Sequence, residues 1–332
     1  MLNADVEVDR RDFPVRAALT VADGERVALF GPSGAGKTTV LEVIAGLVAP
    51  RSGHVELGGR VLTSPGVMVP PYQRRVGLLR QDPGLFPHLS VRANLLYARS
   101  SRSGPADDLA SLAAQLGIDG LLAAMPARLS GGQRHRVALG RLLLAHCDAL
   151  LLDEPFASLD ASLRRALTAL VRDLAAERAV PTLLVTHQLS DAQAFADRLA
   201  IMDQGQVLQV GAPDAVVLAP ASRRVAELVG YLGFVPVGQS GRDELVAGVH
   251  PDRVTVGGDP SQGLVVTGAV TAARPSGAGW EADLRVGDTA FTCRLPGCPS
   301  GETVTVTVLD PPYFGPDGQR AEQSAATRPA QA

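Results

Sequence analysis

A chain of 332 residues with 46% hydrophobic and 20% charged content has room for about two domains and the balance of a soluble globular protein. A net charge of −3 and only 4% aromatic residues argue against a nucleic-acid binder, which needs a basic stripe and stacking platforms. Cys147, Cys293 and Cys298 have neither disulfide nor zinc spacing, and no run approaches the length of a membrane span. Met1 to Arg11 lacks the apolar stretch of a signal peptide. The expectation is a cytosolic protein whose membrane role, if any, comes through a partner.

Residues 1–228 alternate apolar runs with helical stretches, which predicts an α/β domain around a largely parallel sheet. The first clear strand, Val27–Phe30, leads into Gly31-Pro32-Ser33-Gly34-Ala35-Gly36-Lys37-Thr38-Thr39. A glycine-rich loop between a strand and a helix (Thr38–Ala45) offers backbone N–H groups and a helix N-terminus to phosphates. Lys37 is the only lysine among 31 lysines and arginines. A compact ammonium on a flexible stem suits a site between β- and γ-phosphates, where a planar guanidinium would not fit. The loop therefore implies a nucleoside triphosphate, with the Thr38 hydroxyl placed for Mg²⁺.

A second strand, Val76–Leu79, is followed by Gln81, and helices are expected over Asp107–Leu116 and Gly131–Ala145. Leu129-Ser130-Gly131-Gly132-Gln133 opens the latter: Ser130 is a good N-cap, and the glycines after it leave an anion-accepting helix end open. The run Ala149–Leu152 ends in Asp153-Glu154, at the carboxyl end of a buried strand, where α/β proteins bind ligands. Ser158-Leu159-Asp160 precedes a helix over Ala161–Arg178, and Asp160 alone reads as an ordinary N-cap. His187 follows the strand Thr182–Val185, a position where a lone histidine is more often structural. The remaining histidines, His54, His88, His135, His146 and His250, share no ligand spacing and are read as surface or helper residues. Past Gly230 the texture changes to short alternating runs, Gly263–Ala272, Trp280–Val286, Thr289–Leu295 and Thr303–Leu309. These predict a small all-β domain over 246–310, reached through a linker at 229–245. A proline- and glutamine-rich tail, 311–332, is expected to be disordered.

In this order the motifs resemble the ATP-binding-cassette (ABC) ATPases over about the first 225 residues, most specifically through Ser130-Gly131-Gly132-Gln133. The resemblance implies a P-loop ABC ATPase fold followed by a small all-β barrel, with ATP and Mg²⁺ as cofactors. It assigns the phosphates to Gly31, Ser33, Gly34, Gly36, Lys37, Thr38 and Thr39, and Mg²⁺ to Thr38, Gln81 and Asp153. Glu154 would polarise the attacking water, with His187 at the γ-phosphate and Gln81 sensing metal and water. Ser130 to Gln133 would reach the ATP of a second subunit, with Asp160 in the loop that couples the two sites. Phe13 is the nearest candidate for stacking on adenine; its short spacing to Lys37 leaves a core role equally open.

Val69-Pro70-Pro71-Tyr72-Gln73-Arg74-Arg75-Val76-Gly77 and Leu85-Phe86-Pro87-His88-Leu89-Ser90-Val91-Arg92-Ala93-Asn94-Leu95 are similar to bacterial importer ATPases, the molybdate type above all. Val246 to Val254 resembles the entry of the regulatory (TOBE) barrel of such proteins, although its small-anion motif is not recognisable. The resemblance implies a homodimer or paired ATPase subunits, integral membrane permease subunits, and indirectly a periplasmic or lipid-anchored solute-binding protein. It places the chain peripherally at the cytoplasmic face of the membrane, with no nucleic-acid partner. The expected solute is a small oxyanion such as molybdate; sulfate, iron, polyamine or sugar remain alternatives. A soluble cassette ATPase acting on nucleic acid or ribosomes is the rival, but it would carry paired cassettes, a coiled coil or a basic surface. A nucleotide kinase would lack the signature and the Asp-Glu pair.

Overall fold

The computed structural model describes residues 1–97, 107–157, 159–237 and 245–321, and divides into two compact units, Met1–Pro213 and Asp214–Ala332. In chain order the first unit contains β1 (Leu2–Val8), β2 (Val15–Val21), β3 (Arg26–Phe30), α1 (Lys37–Ala45), β4 (Ser52–Leu57), β5 (Arg60–Ser64), β6 (Val67–Met68) and β7 (Val76–Leu79). After these come α2 (Val91–Tyr97), α3 (Asp107–Gln115), α4 (Gly131–Leu144), β8 (Ala149–Asp153), α5 (Ala161–Arg178), β9 (Thr182–Thr186), α6 (Leu189–Phe195), β10 (Arg198–Asp203) and β11 (Gln206–Gly211).

The strands form one sheet in the order β6-β5-β4-β1-β2-β11-β10-β3-β9-β8-β7. From β10 to β7 the neighbours run parallel, and β8 and β9 are buried at every position, as strands covered on both faces must be. The other side differs from the largely parallel sheet expected. β1, β2, β4, β5 and β6 pair antiparallel, and β1 and β2 bury alternate residues, so one face packs while the other meets water. The core of this unit runs from Leu2 to Met202 and includes both faces of α1, whose Val40, Leu41, Val43 and Ile44 are fully buried.

The second unit follows α7 (Pro213–Leu218) with α8 (Arg223–Leu228), β12 (Phe234–Val237), β13 (Leu245–Gly248), β14 (Val254–Val256), β15 (Gly263–Ser276), β16 (Gly279–Val286), β17 (Thr289–Leu295), β18 (Thr303–Leu309) and β19 (Tyr313–Phe314). Its sheets are β12-β13-β19 and β14-β18-β15-β16-β17, the second closing over Val266, Leu284, Phe291, Cys293 and Val306.

The boundaries differ from those expected. The break falls after Pro213 rather than at 228, because the helices at 213–228 belong with the β sheets: the Tyr231 hydroxyl donates to Val217 O at 3.0 Å, and the Arg223 guanidinium lies 4.5 Å over the Phe234 ring. Their apolar faces look, in sequence, like more of the α/β domain. The expected linker 229–245 contains β12, which pairs with β13 from Phe234–Gly248 to Val237–Leu245; residues 238–244 lie outside the described residues. The expected tail is ordered at its start, where Tyr313 and Phe314 pair with β13 and the Ala321 N–H donates to Tyr313 O. Residues 322–332 lie outside the described residues.

Candidate functional site

A cavity of about 800 Å³ opens at the carboxyl ends of β3, β8 and β9. Its lining comes from the loop after β3 (Ser33, Gly34 and Gly36 to Thr39), from the turn at Arg10–Phe13, and from Gln81, Glu154 and His187. Two glycines explain the loop's close fit. A Cβ on Gly31 would stand 1.9 Å from Met202 O on β10, and Gly36 has φ 102° with Val15 2.7 Å from where its Cβ would be. Neither position tolerates a side chain.

Lys37 is 5% exposed and donates from Nζ to Gly31 O and Pro32 O, both at 2.8 Å. Desolvation lowers its pKa, and the carboxylates of Glu154 and Asp153 pull it back up. The Thr38 hydroxyl donates to Asp153 Oδ2 at 3.0 Å. Burial pushes the Asp153 carboxyl above its ordinary range, opposed by the Thr38 hydrogen bond and by Lys37. The Thr38 hydroxyl and Gln81 line the cavity, and with the Asp153 carboxylate oxygen bonded to Thr38 they form a hard oxygen set suited to Mg²⁺. Among the described residues no cluster of three or more His, Cys, Asp or Glu could hold a metal, so such an ion would take its remaining ligands from phosphate and water.

Glu154 leaves β8 in the left-handed region, φ 49°, and its N–H donates to Val185 O at 3.0 Å. That conformation, costing about 1 kcal/mol or more in a non-glycine residue, turns the carboxylate toward β9, where Oε1 lies 2.8 Å from His187 Nδ1. The two residues, separated by 33 positions, thus form one unit. Arg164 braces the neighbouring segment by donating to Gln188 Oε1 and Leu159 O.

Ser130 and Gln133 are not in the lining of this cavity. Ser130 caps α4 in a reciprocal box: its hydroxyl accepts from the Gln133 N–H at 3.2 Å, and its own N–H donates to Gln133 Oε1 at 2.8 Å. Asp160 likewise caps α5, accepting from the N–H groups of Ser162 and Leu163, which hold its carboxyl below the usual range. Ser158 lies outside the described residues. Phe13 lines the cavity and packs, partly buried, on the core. His135, read as surface or helper, is buried instead at 7% exposure on the inner side of α4.

Some residues that shape the site carry no local mark in the sequence. Arg10 and Arg11 line the cavity. Asn94 holds the segment after Gln81 by donating to Phe86 O, Leu89 O and Ser90 O, and Arg141 does so through Pro83 O and Gly84 O.

Residues 16–157 match the family model "ABC transporter". The chain is 36% identical to the sn-glycerol-3-phosphate import ATP-binding protein UgpC of Chromohalobacter salexigens over 330 residues, covering 91% of this chain and 84% of that protein. The chain belongs to the ABC transporter family. Among other ABC relatives, the Fe(3+) ions import ATP-binding protein FbpC of Mesorhizobium japonicum is 40% identical over 67% of this chain and 62% of its own length. The molybdenum import ATP-binding protein ModC of the same organism is 41% identical over 67% and 63%. Both matches thus span just under two thirds of the relative. A dimeric ATP-binding cassette in a post-hydrolysis state with ADP and Pi superposes with a TM-score of 0.54 at 25% identity, over 64% of this chain and 99% of that one. An ATP-binding subunit of an ABC transporter superposes with 0.57 at 27%, over 69% and 94%. As an ABC ATPase, the chain binds ATP, with Mg²⁺ as the associated ion.

Proposed function

We propose that the chain is the ATP-hydrolysing subunit of an importer of bacterial type, working in a pair at the cytoplasmic face of the membrane against integral permease subunits. A periplasmic or lipid-anchored binding protein would deliver the solute. The observation that carries this reading is the convergence on one cavity of Lys37, of Thr38 with the Asp153 carboxylate bonded to it, and of the Glu154–His187 pair.

Bound Mg²⁺ and ATP supply the phosphoanhydride bond and the divalent charge that shields it. The chain's own residues do the rest. Lys37 exchanges its two loop carbonyls for phosphate oxygens, and Thr38 and Asp153 orient the metal end. Glu154, held by His187 rather than free to rotate, accepts the proton of the attacking water. A second copy is supported by Gly131: nothing stands within 4 Å of where its Cβ would be, so packing within one chain does not require glycine there. Close approach of an outside group does, and an exposed helix start with a capping box is a ready anion site.

Import is supported by the names of the relatives, and a small oxyanion such as molybdate is the solute we favour, on the segments at 69–77 and 85–95 and the molybdenum-import relative. Labelled uptake in cells carrying this chain as their sole copy tests it. Lys37→Ala should abolish molybdate uptake and spare sulfate, ferric iron and glycerol 3-phosphate. Loss of a different solute contradicts the oxyanion assignment, and undiminished uptake of all four contradicts the importer reading.

A further inference from the structure

The turn between β1 and β2 brings Arg10 onto the first turn of α1, where Nε donates to Thr39 Oγ1 at 3.0 Å and Nη2 donates to the same oxygen. Thr39 is 3% exposed, whereas the Arg10 side chain is 48% exposed and lines the cavity. This is a costly place for a cation. The N-terminus of α1 carries the positive end of its dipole, its first turn contains no acidic residue, and Lys37 already stands there. The carboxylate within reach, Glu42 Oε2 at 3.7 Å, is shared with Arg80, whose Nη2 is 3.6 Å from Oε1. Two guanidiniums therefore divide one carboxylate, and Arg10 stands in addition on the first turn of α1.

Such an arrangement is stabilised by an anion bound next to it. Glu154 and His187 line the same cavity as a pair of their own, whereas Arg10 is bonded to Thr39, one residue past the Thr38 that meets Asp153, and so stands on the phosphate-binding loop. We propose that Arg10 is a nucleotide ligand that neutralises the α-phosphate, a second cation beside Lys37, with Thr39 as its resting acceptor. This rests on the cavity being the ATP site. A guanidinium presents several parallel donors to a phosphate, so the contact would persist in ATP, ADP and AMP alike. It reads a phosphate and not a base.

Equilibrium binding of AMP, adenosine, ADP, ATP and GTP to the full chain decides the matter, with wild type, Arg10→Met and Arg10→Lys compared. Methionine keeps the apolar stem and removes the charge. The expected result is a loss of about tenfold in AMP, ADP, ATP and GTP affinity in Arg10→Met, about 1.4 kcal/mol. Adenosine affinity should be unchanged, the salt dependence of ADP binding weaker, and part of the loss restored by lysine. A pocket-shaping role alone would weaken adenosine as much as AMP, and that outcome overturns the proposal. So does an unchanged preference for AMP over adenosine, or a loss for ATP that spares GTP, which would assign Arg10 to the base. A wild-type chain that binds no ATP would instead overturn the nucleotide reading beneath it.

Discussion

Asp153 is 4% exposed at the end of β8, and desolvation raises its pKa against the pull of the Thr38 hydroxyl and Lys37. A carboxyl with a raised folded pKa holds its proton more tightly folded than unfolded. Its contribution to stability is full below the ordinary carboxylate range, about pH 4, and is lost as pH rises through the raised value. Asp153→Asn removes the buried charge but keeps an oxygen for Thr38. Without nucleotide, the variant should therefore melt above wild type at neutral pH, the gap closing as pH falls toward about 4, while hydrolysis drops by about a hundredfold or more for want of a metal ligand. Thermal unfolding across this pH range checks the sign; a variant that melts below wild type at neutral pH contradicts it. Lys37 is legible in the sequence from its glycine-rich loop and as the only lysine, and Asp153, Glu154 and His187 because each stands at or just beyond the end of an apolar strand, where ligands bind in α/β sheets. Arg10 is not, because only the antiparallel pairing of β1 with β2 carries it to Thr39. The pairing of Glu154 with His187 is likewise a product of the left-handed turn at Glu154.

At the scale of elements, α1 is held at both ends. Its C-terminus meets Arg74, 1% exposed and without a carboxylate. Arg74 instead spends all its N–H groups on neutral acceptors: Nε on Val69 O at 2.7 Å, Nη1 on Val43 O and Ile44 O at 3.1 and 2.9 Å, and Nη2 on Thr63 Oγ1 and Met68 Sδ at 2.9 and 3.2 Å. The negative end of the helix dipole compensates the charge. Lysine keeps the charge but has fewer donors and no fork, so Arg74→Lys should destabilise the chain by about 2 kcal/mol or more through unsatisfied buried carbonyls. Urea unfolding at an unchanged slope would measure it; a loss below about 0.5 kcal/mol would mean that water or a shifted side chain replaces the fork. α5, β7, β17 and β18 are legible in sequence over their whole lengths, and β3, β8, β9, α1, α3 and α4 to within one residue, whereas the expected Gly263–Ala272 stops four residues short of the end of β15. β1 and β2 contain no continuous apolar run of the kind that marks β3, β8 and β9, because they bury only alternate residues.

On the scale of the whole molecule, each of the two units has a buried apolar cluster of its own among the described residues, one over Leu2–Met202 and the other over Val235–Val308. A chain ending at Pro213 should therefore fold and bind ATP with an affinity within a few fold of the full chain, whereas one ending at 228 carries helices cut from the sheets they belong with. Circular dichroism and nucleotide titration of both fragments check this, and a 1–213 fragment that stays unfolded contradicts it. The composition break at Gly230 is real, but composition reports strand content and not contacts, which is why it misses the helices at 213–228.

The central claim is that Glu154 is the base of an ATP site completed by a second copy. Sedimentation of Glu154→Gln with and without Mg²⁺ and ATP, alongside phosphate release, tests it most directly. The account predicts a monomer without nucleotide, a dimer retaining unhydrolysed ATP, and turnover reduced by about a hundredfold or more. A variant that binds ATP as a monomer, or that still hydrolyses it at more than about a tenth of the wild-type rate, would contradict it.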